Sequence, residues 1–176
     1  MIDPYVYPGT LVLRNNFGVR DKTQLDKIES DYTSLSLRNL TQNPIPGNWD
    51  FTHLCEYHKA IFKDVYDWAG IARTIDMFKE ERVLGGLSID YTPAEDIQRE
   101  AHKHLDAVKA FNWSQSKSDD RTEAFSDFLA KLWKIHPFRE GNTRTTVTYC
   151  CAFYESMGYH INHELFEKTV PMYVML

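Results

Sequence analysis

The chain has few cysteines, no long apolar run and no excess of basic residues. Its three cysteines, Cys55, Cys150 and Cys151, cannot form a disulfide framework, so we expect buried thiols in a reducing cytoplasm. No apolar stretch approaches the roughly 20 residues that a membrane-spanning helix needs. A net charge of −5 lacks the basic excess of proteins that act directly on DNA or RNA. Neither a membrane nor a nucleic acid is therefore an expected partner.

Targeting signals and repeats are also missing from the sequence. The N-terminus has neither a basic n-region nor an apolar segment, so no secretion signal is visible. No internal repeat or low-complexity tract is present. A length of 176 residues suits one domain, and a 43% hydrophobic and 14% aromatic content indicates a folded globule.

The most informative segment is 135–144, Ile-His-Pro-Phe-Arg-Glu-Gly-Asn-Thr-Arg, which joins two helical patterns. Apolar residues before it recur at helical spacing, and His136 falls on that stripe in the last turn, before a proline that disfavours further helix. Residues 145–157 form the second pattern, which Gly158 ends. Gly141 and Asn142 therefore lie at a helix N-terminus, where unpaired N–H groups attract anions. A base, an anion site, a carboxylate and an arginine in one short segment predict a site for a nucleotide phosphate.

This segment resembles the signature of the Fic family, which reads His-Pro-Phe, any residue, an acid, Gly-Asn, Gly or Lys, and Arg. The chain differs from it only at Thr143. The Tyr-Pro opening and the later Leu-Arg-Asn-Asn-Phe-Gly also resemble the N-terminal arm of bacterial Fic toxins and secreted effectors. The resemblance implies a mainly α, single-domain fold: a Fic-type helical bundle with a short β-hairpin flap and a small extended arm. The arm would be residues 1–20 and the helical catalytic domain residues 21–176.

Fic proteins usually transfer AMP from ATP to a hydroxyl of another protein, and the resemblance implies a role for each charged residue of the signature. His136 would be the general base that takes the proton from a Ser, Thr or Tyr hydroxyl of the target. Glu140 would hold the Mg²⁺ that bridges the phosphates of ATP. Arg144 would pair with the outer phosphates. Such a transfer needs mainly positioning, charge neutralisation and a base for the attacking hydroxyl.

The resemblance gives the remaining signature residues to the phosphate-binding loop. Gly141 and Asn142 would form the anion hole, with the Asn142 side chain also near the phosphates. Phe138 would point into the core and hold the loop. Thr143 would complete the nucleotide-binding group, and because a β-branched residue rarely adopts positive φ, we expect helical or extended backbone there.

Two departures from the family leave the transferred group open. Thr143 stands where the family usually has Gly or Lys, and a phosphotransferase branch uses the Lys. Val147 stands where many AMP-transferring members have a second arginine. Transfer of phosphate or of another nucleotide therefore remains an alternative. A non-catalytic nucleotide-binding module is a third interpretation, against which the intact His136, Glu140 and Arg144 argue.

Helix signals account for much of the remaining chain. Asp21 can cap a helix to about Asn39, whose predicted inner face carries Leu25, Ile28, Tyr32, Leu35 and Asn39. Asp50 can cap the next helix, whose apolar stripe is Phe51, Leu54, His58, Ile61, Phe62 and Val65, ended by Gly70. The order Thr-Pro-Ala-Glu at 92–95 is that of a capping box and predicts a helix to about Phe111.

Helical periodicity fails between Ile71 and Tyr91, which by itself favours an ordinary loop. The sequence Trp-Ala-Gly at 68–70, followed by Arg73, matches the family's lead-in to its flap. That flap is an edge hairpin over the active site, onto which a target segment can add as a strand. The resemblance therefore implies target docking at Gly85, Gly86, Leu87, Ser88 and Ile89.

A zinc site is not predicted from the histidines. His102 and His104 point apart on a helix, and His160 with His163 has no third ligand nearby in the sequence.

Regulation is a further expectation that follows from the family. Many Fic proteins are held inactive by a helix with Ser or Thr, three residues, Glu, and then Gly or Asn. Only Thr52–Glu56 has this Ser/Thr–Glu spacing, and Tyr57 follows it inside a predicted core helix. We therefore expect a toxin-like, cytoplasmic enzyme restrained by a small separate antitoxin protein. An inhibitory motif beyond Leu176, and translocation as an effector, are the alternatives.

Overall fold

The computed structural model describes residues 3–80 and 88–162, and of residues 78–80, 88 and 89 the backbone alone. Five α-helices lie in these ranges: α1 (Lys22–Gln42), α2 (Phe51–Phe62), α3 (Ile97–Ala110), α4 (Ser118–Ile135) and α5 (Asn142–Ser156). A 3₁₀ turn, Ala94–Asp96, precedes α3. The fold is mainly helical, as predicted. No helix within these described ranges is both long and apolar enough to cross a bilayer.

Helix α2 lies at the centre of the bundle, against α1, α3 and α5, while α4 packs on α3 and α5. Its predicted cap is confirmed, because Asp50 Oδ1 accepts a hydrogen bond from the His53 N–H at 2.9 Å. Its predicted apolar stripe is buried, with Leu54 and Phe62 fully inaccessible to solvent. Truncating such a leucine typically costs about 2–5 kcal/mol, so this stripe is a main source of stability.

Helix α1 begins at the predicted cap, where Asp21 Oδ1 accepts from the Gln24 N–H at 2.8 Å. The predicted inner face of α1 is confirmed at Leu25, which is 3% exposed, and is wrong at Tyr32 and Leu35. Leu35 is 68% exposed and Tyr32 42% exposed.

The residues of α1 that are buried are Leu25, Thr33 and Leu40. Polar groups decide this orientation, because Glu29 and Thr33 on the inner side both bind Arg144 of α5. The spacing of apolar residues does not predict such a polar contact.

Two short strands lie in the segment without helical periodicity, β1 (Phe78–Glu80) and β2 (Ser88–Asp90). They pair antiparallel, with Phe78 opposite Asp90 and Lys79 opposite Ile89. Of the residues expected to dock a target, Ser88 and Ile89 lie in β2. Gly85, Gly86 and Leu87 lie outside the described residues.

The predicted capping box before α3 does not form. Pro93 is the N-cap of the 3₁₀ turn, and no side chain of that turn caps it. The Ala94 N–H, which follows β2, instead donates to Oδ1 of Asp76, which precedes β1, at 2.7 Å. A tertiary hydrogen bond therefore replaces the local one.

The N-terminal segment packs on the helices through Tyr5 and Val12, which belong to the main core. Val6 and Leu13 form a single antiparallel bridge. Asp3 forms an ion pair with Arg139 at 2.7 Å, which brings this segment against the loop between α4 and α5.

Candidate active site

The loop between α4 and α5, residues 136–141, carries most of the predicted site. Helix α4 ends at Ile135, and His136 is left-handed, with φ 49° and ψ 59°. A non-glycine residue in that conformation costs about 1–2 kcal/mol, so other contacts must hold it. Helix α5 begins at Asn142, three residues before its predicted start.

The His136 ring is 4% exposed and packs between aromatic side chains. Tyr91 stacks on it with ring centroids 3.9 Å apart and 22° between the planes, and Trp133 meets it edge-on. Nδ1 lies 3.3 Å from the Trp133 carbonyl oxygen, which can only accept a hydrogen bond. In the neutral ring this contact places the proton on Nδ1 and the basic lone pair on Nε2, as a general base requires.

Backbone N–H groups gather at the start of α5. The first helical bond runs from the Thr145 N–H to the Gly141 carbonyl at 3.0 Å, so the amides of residues 142–144 have no acceptor within the helix. Gly141 has φ 77°, and a Cβ there would lie 2.1 Å from the Phe62 ring. Only glycine fits this close approach, and the unpaired amides of the turn that follows it are the groups that bind anions at helix N-termini.

The Asn142 side chain closes the loop through two hydrogen bonds to the backbone of Phe138. Its Oδ1 accepts from the Phe138 N–H at 2.8 Å, and its Nδ2 donates to the Phe138 carbonyl at 2.7 Å. The residue is 3% exposed. These two bonds hold the side chain against Phe138, and the backbone N–H of Asn142 lies at the start of α5.

His58 of α2 packs against the loop and binds its backbone, a role that sequence periodicity did not reveal. Its ring stacks on Phe138, which is buried as expected, with centroids 3.8 Å apart. Nδ1 accepts from the Gly70 N–H at 2.8 Å, so Nε2 carries the proton and donates to the Glu140 carbonyl at 3.0 Å. Burial lowers the pKa of His58 to about 3, which keeps the ring neutral.

Glu140 presents one carboxylate to the site. Its side chain is 33% exposed, and Oε1 accepts from the Gly141 N–H at 2.9 Å. The described residues contain no group of three or more His, Cys, Asp or Glu side chains that could hold a metal. Mg²⁺ usually binds one or two carboxylates together with substrate phosphates, so this donor set fits a magnesium ion that enters with a nucleotide.

Arg144 is 5% exposed and lies between α1 and Glu140. One nitrogen pairs with Glu29, and Nη1 donates to Thr33 Oγ1 at 3.1 Å. The guanidinium carbon lies 4.7 Å from the centroid of the Phe62 ring. Nη2 lies 3.9 Å from Glu140 Oε1, so a phosphate held beside Glu140 would come within reach of this cation.

Tyr66 completes the environment of Glu29. Its hydroxyl donates to the second carboxylate oxygen of Glu29. Burial, with Glu29 beside it, raises the pKa of Tyr66 above its usual value, so the hydroxyl stays protonated and keeps donating.

Thr143 and Val147 differ in where α5 places them. Thr143 is the second residue of α5, so its backbone is helical, one of the two conformations expected. Its hydroxyl accepts a hydrogen bond from Trp133 Nε1–H at 2.9 Å. Val147 is 6% exposed and packs with Cys151 and Ile161. Position 147 therefore holds an apolar contact and adds no cation to the site.

The sequence model of the Fic/DOC family matches residues 48–154, which include α2, the strands and the whole α4–α5 loop. The chain belongs to the Fic/DOC family. It is 35% identical over 170 residues to y4lH of Sinorhizobium fredii, named a probable protein adenylyltransferase, a match that covers 94% of this chain and 82% of y4lH. It is 31% identical over 168 residues to the protein adenylyltransferase VbhT of Bartonella schoenbuchensis, covering 94% of this chain and 34% of VbhT. The chain thus spans about a third of the length of VbhT.

Solved Fic structures share the fold. The N-terminal Fic domain of a Bartonella effector protein from Bartonella sp. AR 15-3 superposes with a TM-score of 0.79 at 23% identity, covering 91% of this chain and 75% of that one. The BepC effector protein of Bartonella tribocorum with bound AMPPNP gives a TM-score of 0.77 at 21% identity, covering 92% and 81%. At these identities the likeness establishes the Fic fold alone.

The buried His58 predicts a dependence of stability on pH. The folded pKa of about 3 lies below the ordinary value of 6.5, so between these values the unfolded chain binds more protons than the folded one. The free energy of unfolding should therefore fall as pH drops below about 6.5, by up to about 1.4 kcal/mol per pH unit. His58→Gln should remove the contribution of this one proton, so the slope of unfolding free energy against pH should decrease by up to about 1.4 kcal/mol per pH unit. Urea unfolding at several pH values measures this slope. An unchanged slope would show that His58 does not contribute.

The Glu29–Arg144 pair predicts a strong coupling between α1 and α5. Arg144→Met should destabilise the fold by about 3–5 kcal/mol, because it leaves the Glu29 carboxylate buried without its cation. Adding Glu29→Gln should restore part of that loss. A double-mutant cycle in urea unfolding measures the coupling. Additive single effects would contradict a direct interaction, and the exposed pair Lys22–Asp26 provides the matched control.

Proposed function

We propose that the chain is a protein adenylyltransferase that transfers AMP from Mg·ATP to a Ser, Thr or Tyr hydroxyl of a target protein. The observation that carries this proposal is the α4–α5 loop, which brings the His136 ring, the amides at the start of α5, Glu140 and Arg144 together. The names of y4lH and VbhT, and the AMPPNP in the BepC structure, support it.

In the proposed reaction the target oxygen attacks the α-phosphorus of ATP. His136 Nε2 takes the hydroxyl proton as the new phosphorus–oxygen bond forms. The bond from the α-phosphorus to the bridging oxygen breaks, and pyrophosphate leaves. The amides at residues 142–144 would stabilise the charge on the α-phosphate. Mg²⁺ bound through Glu140 would supply positive charge to the phosphates.

Arg144 would bind the outer phosphates without giving up Glu29. A guanidinium has five N–H donors, and the hydrogen bonds to Glu29 and Thr33 use two of them. The 3.9 Å separation between Nη2 and Glu140 Oε1 supports the proposal that the remaining donors would reach phosphates bound beside Glu140. Since Val147 offers no second cation, Arg144 would be the main positive side chain for these phosphates.

The strand pair would receive the target segment. β1 and β2 form a two-stranded sheet, and an extended peptide can add to the edge of such a sheet through main-chain hydrogen bonds. Ser88 and Ile89 lie in β2, and we propose that they act with Gly85, Gly86 and Leu87 as the docking flap. The stacking of Tyr91 on His136 supports this, because Tyr91 follows β2 directly.

A phosphotransferase is the second candidate, and the Thr143 side chain is the observation that favours it. Its hydroxyl is held by Trp133, so the side chain has a fixed orientation at the edge of the anion site. If its methyl group displaced the α-phosphate, the nucleotide would lie differently and the γ-phosphate would face His136. The helical backbone of Thr143 supports AMP transfer, because its N–H still belongs to the first turn of α5.

A toxin-like role in the cytoplasm, with restraint by a separate small antitoxin, belongs to the same proposal. The ion pairs of Arg144 within the described ranges involve Glu29 and Glu140, whereas Glu56 of the Thr52–Glu56 segment is exposed on α2. The Thr52–Glu56 segment therefore offers no carboxylate to Arg144, which supports an antitoxin as the proposed source of restraint. The free Cys55, Cys150 and Cys151 suit a reducing compartment.

The base assignment predicts a selective loss of turnover. His136→Ala should lower kcat by about 10²–10⁴-fold and leave ATP affinity nearly unchanged, because the proton moves only during chemistry. Target modification by intact mass spectrometry and ATP binding by calorimetry measure the two effects. His160→Ala is the control, since this histidine is exposed. A His136→Ala variant with near-parent turnover would refute the assignment.

The transferred group can be identified by isotopic label. Label from α-³²P ATP, and not from γ-³²P ATP, should appear on a second protein, because the α5 amides would hold the α-phosphate. Thr143→Gly tests whether the methyl group crowds the site, and Thr143→Val keeps the shape while losing the Trp133 bond. Higher transfer in Thr143→Gly alone would identify crowding. Label only from the γ position, in the parent and in Thr143→Gly, would establish phosphate transfer.

A further inference from the structure

Arg73 is a buried cation at the N-terminal approach to β1, and it is 2% exposed. Its guanidinium donates to three backbone carbonyls: Nε to His136 at 2.8 Å, Nη1 to Ile75 at 2.6 Å, and Nη2 to Thr92. Its backbone N–H donates to the Pro137 carbonyl at 2.8 Å. A single residue therefore binds both peptide groups that follow the left-handed His136.

The other two carbonyls lie at one end of the strand pair, where the chain enters β1 and leaves β2. Ile75 precedes β1, which begins at Phe78, and Thr92 follows β2, which ends at Asp90. The hydrogen bond from the Ala94 N–H to Asp76 Oδ1 joins the two segments at the same end of the pair. The strand pair and the α4–α5 loop therefore meet at one guanidinium.

Tyr91 extends this connection to the His136 ring. It immediately precedes Thr92, whose carbonyl Arg73 binds, and its ring stacks on the His136 ring at 3.9 Å. Arg73 thus fixes the backbone of His136 and the backbone next to the ring that packs on it. Movement of the strand pair would shift both.

We propose that Arg73 is a positioning residue that joins target docking on the strand pair to the orientation of His136. This inference rests on the proposed adenylyltransferase function. Arginine is required because its planar guanidinium offers donors in several fixed directions, whereas a lysine ammonium cannot reach three separate carbonyls with the same geometry. The residue acts through His136 and touches no reacting atom.

Three variants test the proposal: Arg73→Lys, Arg73→Met, and Arg121→Met as the matched control. Arg121 also donates to a backbone carbonyl, that of Ser116, but it lies at the start of α4, far along the helix from His136. Misplacing a reacting group by about 1 Å can cost about 100-fold in rate. Arg73→Met should therefore lower kcat for AMP transfer about 100-fold, with Arg73→Lys intermediate. ATP affinity should stay at the parent value, and the KM for the target protein should rise.

A second measurement does not need activity. Stacking on Tyr91 should shift the NMR signals of the His136 ring upfield, and these signals are assigned by their loss in His136→Ala. Both Arg73 variants should reduce the shift, and Arg121→Met should not. If the parent transfers no AMP, the proposed function fails, while the ring signals still decide the role of Arg73.

The remaining outcomes overturn the inference. Folded Arg73→Lys with parent kcat and parent His136 signals would show that Arg73 does not position the base. Equal losses of activity in Arg73→Lys and Arg121→Met would indicate a general packing effect. If neither Arg73 variant folds while Arg121→Met does, the role of Arg73 is structural and not functional.

Discussion

The site depends on buried side chains that satisfy the backbone of the α4–α5 loop. His136 and Gly141 are both left-handed, so the loop has no regular ladder of backbone hydrogen bonds and its buried polar groups need other partners. Arg73 binds the His136 carbonyl, Asn142 binds both backbone groups of Phe138, and His58 binds the Glu140 carbonyl. Because these donors are buried, losing one would leave a carbonyl without a partner in a region of low dielectric constant.

These contacts explain why the loop draws on distant parts of the chain. His58 comes from the central helix, Arg73 from the approach to β1, and Asp3, through Arg139, from the N-terminal segment. Each tethers a different point of the loop. A preorganised arrangement is what a group transfer that relies on positioning and charge stabilisation requires. The helical bundle is thus the support that fixes a short loop.

The Glu29–Arg144 pair has a comparable effect on α1. It places a carboxylate and a threonine hydroxyl on the inner side of that helix and leaves Leu35 exposed on the outer side. Breaking such a buried pair is costly, so the pair contributes to the orientation of α1 together with the buried Leu25 and Leu40. The same pair keeps the Arg144 guanidinium beside Glu140, where phosphates would bind.

The sequence by itself determined the helical class, the caps at Asp21 and Asp50 and the apolar stripe of α2. It also determined family membership, through the signature at 135–144. Those features depend on local spacing and on residue type, which a sequence displays directly. The tertiary structure alone decided the inner face of α1, the cap before α3, and the hydrogen bonds of Asn142, His58 and Arg73 to the loop. These outcomes depend on hydrogen bonds between residues far apart in the chain, and such bonds leave no periodic pattern in the sequence.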